Sequence, residues 1–127
     1  MPEAPMSLPP AAQQLLLQMQ TFQQQYQASA MQKEGLMLQK LELDKALEEL
    51  AKTKDGDDVY KAVGPILVKS TKAELVKELG EKKEMAELRL KSIDKQGEKL
   101  KEKLKETQDK LQALLSGASR PKSGAGQ

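Results

Sequence analysis

The side chains of this sequence that could act as acids, bases or metal ligands are mainly carboxylates and amines. The 127 residues include 21 Lys and Arg and 19 Asp and Glu, but no His and no Cys. The chain therefore lacks the residue that most often serves as general base and metal ligand, and it has no thiol. It also lacks the G-x-x-x-x-G-K-[ST] loop that cradles nucleotide phosphates. We expect no enzyme activity, no metal and no cofactor.

The charge pattern argues against two classes of partner. The net charge is only +2, and Lys and Glu are interleaved from Lys69 to Lys110, as on solvated helix faces. A nucleic-acid interface would need a clustered basic excess, and a membrane span would need about 18 consecutive apolar residues. The Pro-rich start shows no basic segment followed by an apolar stretch, as a secretory signal would. We expect no nucleic acid, no membrane and a cytoplasmic location.

The chemistry that remains is the burial of apolar surface, and apolar residues gather near both ends of the chain. We call them the terminal cluster: Leu15, Leu16, Leu17, Met19, Phe22, Tyr26, Leu111, Leu114 and Leu115. An exposed cluster of this kind is either a binding surface or a liability. Most of its members also fit the buried seam of a coiled coil, described below. Leu16 and Leu17 fall off that seam and Leu115 lies beside it, so these three are the sharper candidates for binding.

A second apolar group lies at the middle of the chain. Two short β-rich runs on either side of Gly64-Pro65 predict a hairpin, and its apolar residues form the hairpin cluster: Val59, Tyr60, Val63, Ile66, Leu67 and Val68. An isolated hairpin is marginally stable in water, and its edges present unpaired backbone groups. We expect hairpins from several subunits to join in a shared sheet or barrel. The alternative is that the hairpin packs onto the base of its own helices.

These residues are positioned by two long helices. Residues 11–53 and 72–115 contain good helix formers, with apolar residues recurring at steps of three and four. The predicted hairpin, residues 58–69, lies between them, and Thr71 with Glu74 predicts a capping box at the start of the second helix. Pro-rich residues 1–10 and the Gly- and Ser-containing residues 116–127 are expected to be disordered.

The heptad positions decide how the helices pair. The first helix carries a seam at Ala12, Leu15, Met19, Phe22, Tyr26, Ser29, Lys33, Leu36, Lys40, Leu43, Leu47 and Leu50. The second carries one at Val76, Leu79, Lys83, Ala86, Leu90, Ile93, Gly97, Leu100, Leu104, Thr107, Leu111 and Leu114. When the chain is folded back at Val63-Gly64, the two seams face each other layer by layer. We therefore expect a mainly α fold, an antiparallel coiled coil within one chain, rather than a parallel homodimer.

The hairpin and its flanks resemble a known family. The matching stretches are VYKAVGPILVK at Val59–Lys69, ELGEKKEMAELRLK at Glu78–Lys91 and ALEEL at Ala46–Leu50. They resemble the prefoldin family, and the resemblance covers about residues 13–115. A single hairpin is similar to the β-type rather than the α-type subunit of the archaeal complex.

The resemblance implies a function and a set of partners. It implies a hexamer of two α-type and four β-type subunits, in which hairpins form a β-barrel platform and coiled-coil arms extend from it. Such a complex holds unfolded proteins at the arm tips without ATP and delivers them to a group II chaperonin. The terminal cluster would then bind clients, and the hairpin cluster would mediate assembly. The alternative is a structural coiled-coil adaptor or tether, which would leave the hairpin without a role.

Overall fold

A computed structural model describes residues 8–117 and contains the four predicted elements in the predicted order. They are helix α1 (Pro10–Lys52), strand β1 (Val59–Val63), strand β2 (Ile66–Ser70) and helix α2 (Lys72–Gly117). The predicted fold class, two long helices joined by a β-hairpin, is confirmed, and the element ends differ from the prediction by at most two residues. Most of the two segments expected to be disordered lies outside the described residues.

Both helices that meet the hairpin are capped there. At the end of α1, the Thr53 hydroxyl donates to the carbonyl of Leu50 at 2.7 Å, and the Lys72 ammonium donates to the carbonyl of Thr53 at 2.7 Å. At the start of α2, the backbone N–H of Glu74 donates to the Thr71 hydroxyl at 3.1 Å, which is one of the two hydrogen bonds of the predicted capping box. These bonds satisfy backbone groups that the helices leave free, and Lys72 ties the start of α2 to the end of α1.

The hairpin closes through a two-residue turn. Strands β1 and β2 pair antiparallel, from Val59 opposite Ser70 to Val63 opposite Ile66. Gly64 has φ of +57°, in the left-handed region that residues with a Cβ rarely adopt. The turn therefore consists of Gly64 and Pro65, the two residues that the sequence places between the strands, and it begins at the Val63-Gly64 step where the chain was predicted to fold back.

The described chain forms two compact units, each built from both helices. One contains residues 31–94, including the hairpin. The other contains the described residues before residue 31 and after residue 94. In the second of these units, Lys103 of α2 lies over the Phe22 ring of α1, and a Cβ at Gly97 would meet the Tyr26 ring at 3.8 Å. From Phe22 to Tyr26 the residue number rises in α1, while that of the contacting residue falls from Lys103 to Gly97 in α2. The helices therefore pair antiparallel.

The predicted seams are buried, with one exception. Every seam residue of α1 is buried or half-buried, and so is every seam residue of α2 except Val76, which is exposed. The predicted seam position of Val76 is wrong, because its neighbour Leu75 packs against Leu50 instead, together with Val59 of β1. Because β1 packs into the core here, the first turn of α2 contacts the hairpin as well as α1, and Leu75 makes both contacts.

Two seam lysines of α1 are accommodated by ion pairs across the helices. Lys33 Nζ lies 2.8 Å from Asp94 Oδ1, and Lys40 Nζ lies 3.2 Å from Glu87 Oε2. Each lysine can lay its apolar stem along the seam and carry its charge to the edge. Both lysines are thus paired with carboxylates of the opposite helix.

The third seam lysine forms the same kind of pair in the reverse direction. Lys83 Nζ of α2 lies 2.7 Å from Asp44 Oδ1 of α1, an oxygen that is shielded from water. The close contact with Asp44, followed by the charges of Asp44 and Glu87, raises the pKa of Lys83, and partial desolvation opposes this shift. The raised pKa shows that this site favours the charged form of Lys83.

We predict opposite effects of alanine at two glycines. Gly97→Ala should raise the free energy of unfolding by about 0.5–1 kcal/mol, because alanine favours the helix and the new Cβ would make an ordinary contact with Tyr26. Gly64→Ala should lower it by about 1 kcal/mol, since its φ of +57° disfavours a Cβ. Urea unfolding followed by circular dichroism at a fixed protomer concentration measures both. A lower midpoint for Gly97→Ala would contradict the prediction.

Candidate functional site

The terminal cluster divides into half-buried and exposed members. Leu16, Leu17 and Leu115 are 37%, 63% and 44% exposed. The half-buried members are those placed on the seam: Leu15, Met19, Phe22, Tyr26, Leu111 and Leu114. This division agrees with the heptad assignment, and the exposed leucines come from both helices of their unit. Their binding role is untested by the fold and stays a prediction.

The coiled-coil seam beneath the terminal cluster is closely packed. Ala12 is fully buried, and the Lys103 ammonium lies 5.7 Å from the centroid of the Phe22 ring, within cation–π range. Thr107 is a buried polar residue, and its hydroxyl donates to the carbonyl of Lys103 at 2.7 Å. The polar group therefore has a partner within its own helix. The exposed leucines thus stand on a packed coiled coil.

One member of the hairpin cluster is not available for assembly. Val59 is only 8% exposed and packs with Leu50 and Leu75, with Leu79 against them. We call these four residues the anchor core. The prediction that Val59 contributes to an assembly surface is corrected by this burial: its side chain joins the hairpin to the helices of its own chain. The alternative of a hairpin packed on its own helices is thus true of Val59.

The other five hairpin residues remain open to solvent. Their exposed fractions lie between 44% and 72%, and they are Tyr60, Val63, Ile66, Leu67 and Val68. Successive residues of a strand point to opposite faces. In the observed register Tyr60 and Leu67 lie on one face of the hairpin, and Val63, Ile66 and Val68 lie on the other. Both faces are therefore apolar, and the two-stranded sheet leaves one edge of each strand unpaired among the described residues.

An ion pair holds the hairpin to α2. Lys61 Nζ donates to Glu78 Oε1 at 2.8 Å, and Lys82 Nζ lies 3.7 Å from the other carboxylate oxygen. The hydrogen bond from Lys61 is the main cause that lowers the pKa of Glu78 below its ordinary value of 4.5. Partial desolvation of Glu78 opposes this shift. Lys61 is in β1, so the pair supplements the apolar contact made by Val59.

A cleft of about 470 Å³ lies beside the contact between β1 and the helices. Its walls include Leu50, Leu75 and Leu79, with the Lys61–Glu78 pair as a polar element. Within residues 8–117, no group of three or more His, Cys, Asp or Glu side chains could hold a metal ion. No helix in this range is long and apolar enough to cross a membrane.

The structure also exposes apolar residues that the sequence interpretation did not single out. They lie off the seam in the middle of both helices: Met31, Met37, Leu38 and Leu41 on α1, and Met85 and Leu88 on α2. The signal was present in the sequence. Once the seam positions of a helix are assigned, every apolar residue left over must face solvent or a partner.

Comparison with known proteins gives a consistent result. A sequence model of the family described as "Prefoldin subunit" matches residues 13–118. The prefoldin subunit beta of Archaeoglobus fulgidus is 50% identical over 109 residues, which cover 86% of this chain and 94% of that protein. The prefoldin subunit beta of Thermococcus onnurineus is 43% identical with the same coverage.

The fold is found in solved structures as well. The crystal structure of the prefoldin beta subunit from Thermococcus strain KS-1 superposes with a TM-score of 0.80 at 41% identity, covering 91% of this chain and 98% of that one. The beta2 subunit of the same strain superposes with a TM-score of 0.64 at 20% identity, which shows a shared fold.

We predict that acid loosens the hairpin. The folded-state pKa of Glu78 lies below its unfolded value, so the stabilising effect of the Lys61–Glu78 pair is complete above pH 4.5 and is lost as pH falls through the folded pKa. The backbone amide of Lys61, followed by NMR from pH 7 to pH 3, should report this step. Glu78→Gln should remove the step, because the side chain that titrates is gone. If the amide signal of Lys61 changed with pH in the same way in both proteins, the assignment of the step to Glu78 would be contradicted.

Proposed function

This chain belongs to the prefoldin family, and we propose that it acts as the β-type subunit of an ATP-independent chaperone that holds unfolded proteins. The observation that carries this proposal is the exposure of Leu16, Leu17 and Leu115 beside a buried seam. A client that is partly unfolded exposes apolar segments, and burial of apolar surface contributes about 25 cal/mol per Å² whatever the sequence of the segment. Exposed leucines on a packed helix pair suit this kind of recognition.

The hairpin supports the proposed partner subunits. Its apolar residues on both faces, and its unpaired strand edges, match the need for other strands. We propose that hairpins of an α-type subunit and of further β-type subunits complete a shared barrel, in a hexamer of two α-type and four β-type subunits. Closure of a barrel removes the free edges, and burial of residues such as Leu67 and Ile66 would stabilise the assembly.

The remaining steps concern delivery and location. We propose that the complex passes its clients to a group II chaperonin and works in the cytoplasm. The sequence has no nucleotide-binding loop, which suits a protein that holds clients without ATP. A structural adaptor or tether would use the same helix pair. It would leave unexplained the exposed leucines of the terminal cluster and the uncovered hairpin, and we therefore favour the chaperone.

We predict that one charge in the hairpin prevents assembly. Leu67 is the most exposed member of the hairpin cluster, so Leu67→Asp should leave the helix content of the chain unchanged. An aspartate buried in a shared barrel would be strongly unfavourable. Native mass spectrometry after mixing with an α-type subunit should show the loss of the hexamer. Leu88→Asp, at a similarly exposed leucine of α2, is the matched control and should assemble normally. A hexamer of Leu67→Asp would refute this role.

We predict that the exposed leucines of the terminal cluster carry client binding. The triple variant Leu16→Ser, Leu17→Ser and Leu115→Ser should suppress the aggregation of a denatured client several-fold less well, because apolar contact area is lost. Its native mass with the α-type subunit should be unchanged. The matched control replaces the exposed Met85 and Leu88 by Ser. Suppression by the triple variant equal to that by the unsubstituted protein would refute the binding role.

A further inference from the structure

An apolar stripe on α1 lies outside both the seam and the terminal cluster. It consists of Met31, Met37, Leu38 and Leu41, which are 50% to 73% exposed, and we call it the outer stripe. We propose that the outer stripe is a second binding surface, which takes an apolar segment of an unfolded polypeptide. This inference rests on the proposed function and adds a site to it, because the proposed function needs only the terminal cluster.

The helix places these four residues together. Leu38 and Leu41 are three residues apart and Met37 and Leu41 are four apart, so both pairs are neighbours on the helix surface. Met31 lies two turns before Leu38 on the same side. The set avoids the seam, and all four side chains are exposed while the seam residues beside them are buried or half-buried.

A glycine lies at one edge of the stripe. Gly35 lies between Met31 and Leu38 along the helix surface, and a Cβ at this position would meet no atom within 4 Å. No packing inside the chain therefore requires a glycine here, although glycine costs a helix about 1 kcal/mol relative to alanine. Its effect is a notch between two large apolar side chains, where an incoming backbone can approach closely.

The corresponding surface of α2 is different. On α2 the exposed apolar residues Met85 and Leu88 are three residues apart, and they lie among the exposed charged residues Glu84, Lys91 and Lys95. One pair of exposed apolar residues among charges is normal for a protein surface. A group of four apolar residues on one helix face is not explained in that way. The outer stripe is thus a property of α1 and does not reflect a general lack of charge on the helix pair.

The size and chemistry of the outer stripe select its occupant. Four side chains on one helix offer on the order of 400 Å², whereas a stable interface needs about 800 Å² from each partner. A second copy of the chain would therefore not be held by this surface alone. An unfolded chain already bound at the terminal cluster needs only a weak additional contact, since its second binding step is intramolecular.

The side chains also suit a partner of variable sequence. Two of the four are methionines, whose unbranched side chains adapt to different shapes. Gln32 and Gln39, beside the stripe on the helix, are uncharged, whereas Glu34 lies among the four apolar residues, three residues from both Met31 and Met37. Glu34, Glu42 and Lys45 together carry a net charge of only −1. The surface therefore offers mainly apolar contacts and does not require a strongly charged partner.

The test uses the full chain assembled with an α-type subunit. The stripe variant replaces Met31, Met37, Leu38 and Leu41 by Gln, which keeps side-chain length and favours the helix. The probe is fluorescently labelled, reduced and carboxymethylated α-lactalbumin, a permanently unfolded chain, and its Kd is measured by fluorescence anisotropy. We expect the Kd of the stripe variant to rise about fivefold, with unchanged native mass and unchanged thermal midpoint. The control variant, with Met85→Gln and Leu88→Gln, should keep the original Kd.

The triple variant of the terminal cluster separates this inference from the proposed function. An unchanged Kd for the stripe variant, together with a raised Kd for the triple variant, would overturn the second site and leave the proposed function standing. An unchanged Kd for both variants would overturn both. A change in the native mass of the stripe variant would show that the outer stripe contacts a subunit, and this result would also overturn the inference.

Discussion

The contact between Val59 and the helices is the interaction on which the rest of the structure depends. Leu50, Leu75 and Leu79 receive this one strand residue, and the Lys61–Glu78 pair adds a polar link. Two helices bury a stripe along their seam and have no broad interior. They can therefore hold the hairpin by one edge of its apolar surface but cannot cover it. The exposed faces of the hairpin, and hence the expected dependence on partner subunits, follow from this limit.

The seam lysines affect the direction in which the helices pair more than they affect the stability of the fold. Each of the three cross-helix pairs is partly exposed, and ion pairs of this kind contribute about 0–1 kcal/mol each. Their larger effect concerns the alternatives. If two copies of α1 paired in parallel and in register, Lys33 would face Lys33 and Lys40 would face Lys40, and like charges at core positions disfavour such a dimer. Folding back onto α2 supplies a carboxylate for each lysine instead.

The sequence was sufficient for the elements, the pairing and the exposure of Leu16, Leu17 and Leu115, because heptad periodicity and turn chemistry are local signals. The sequence was insufficient where strand β1 packs between the two helices. Leu75 replaces Val76 in the core because β1 inserts Val59 there, and a helix-only pattern contains no information about that strand. The same insertion explains why Val59 was wrongly placed on the assembly surface. The outer stripe could have been found, since it consists of the apolar residues that the seam of α1 leaves over.

The Gly64 turn has a consequence for the order in which contacts can form. The pairs Asp44–Lys83, Lys40–Glu87 and Lys33–Asp94 lie at increasing sequence distance from the turn. When an inner pair has formed, most of the loop between the residues of the next outer pair is already closed. Only the short segments between the two pairs then lose conformational entropy as the outer pair forms. A chain with this topology can zip from its turn toward its ends. Long-range contacts usually slow folding, because closing a large loop costs entropy. In this chain a loop must be closed without such help only once, when the hairpin forms.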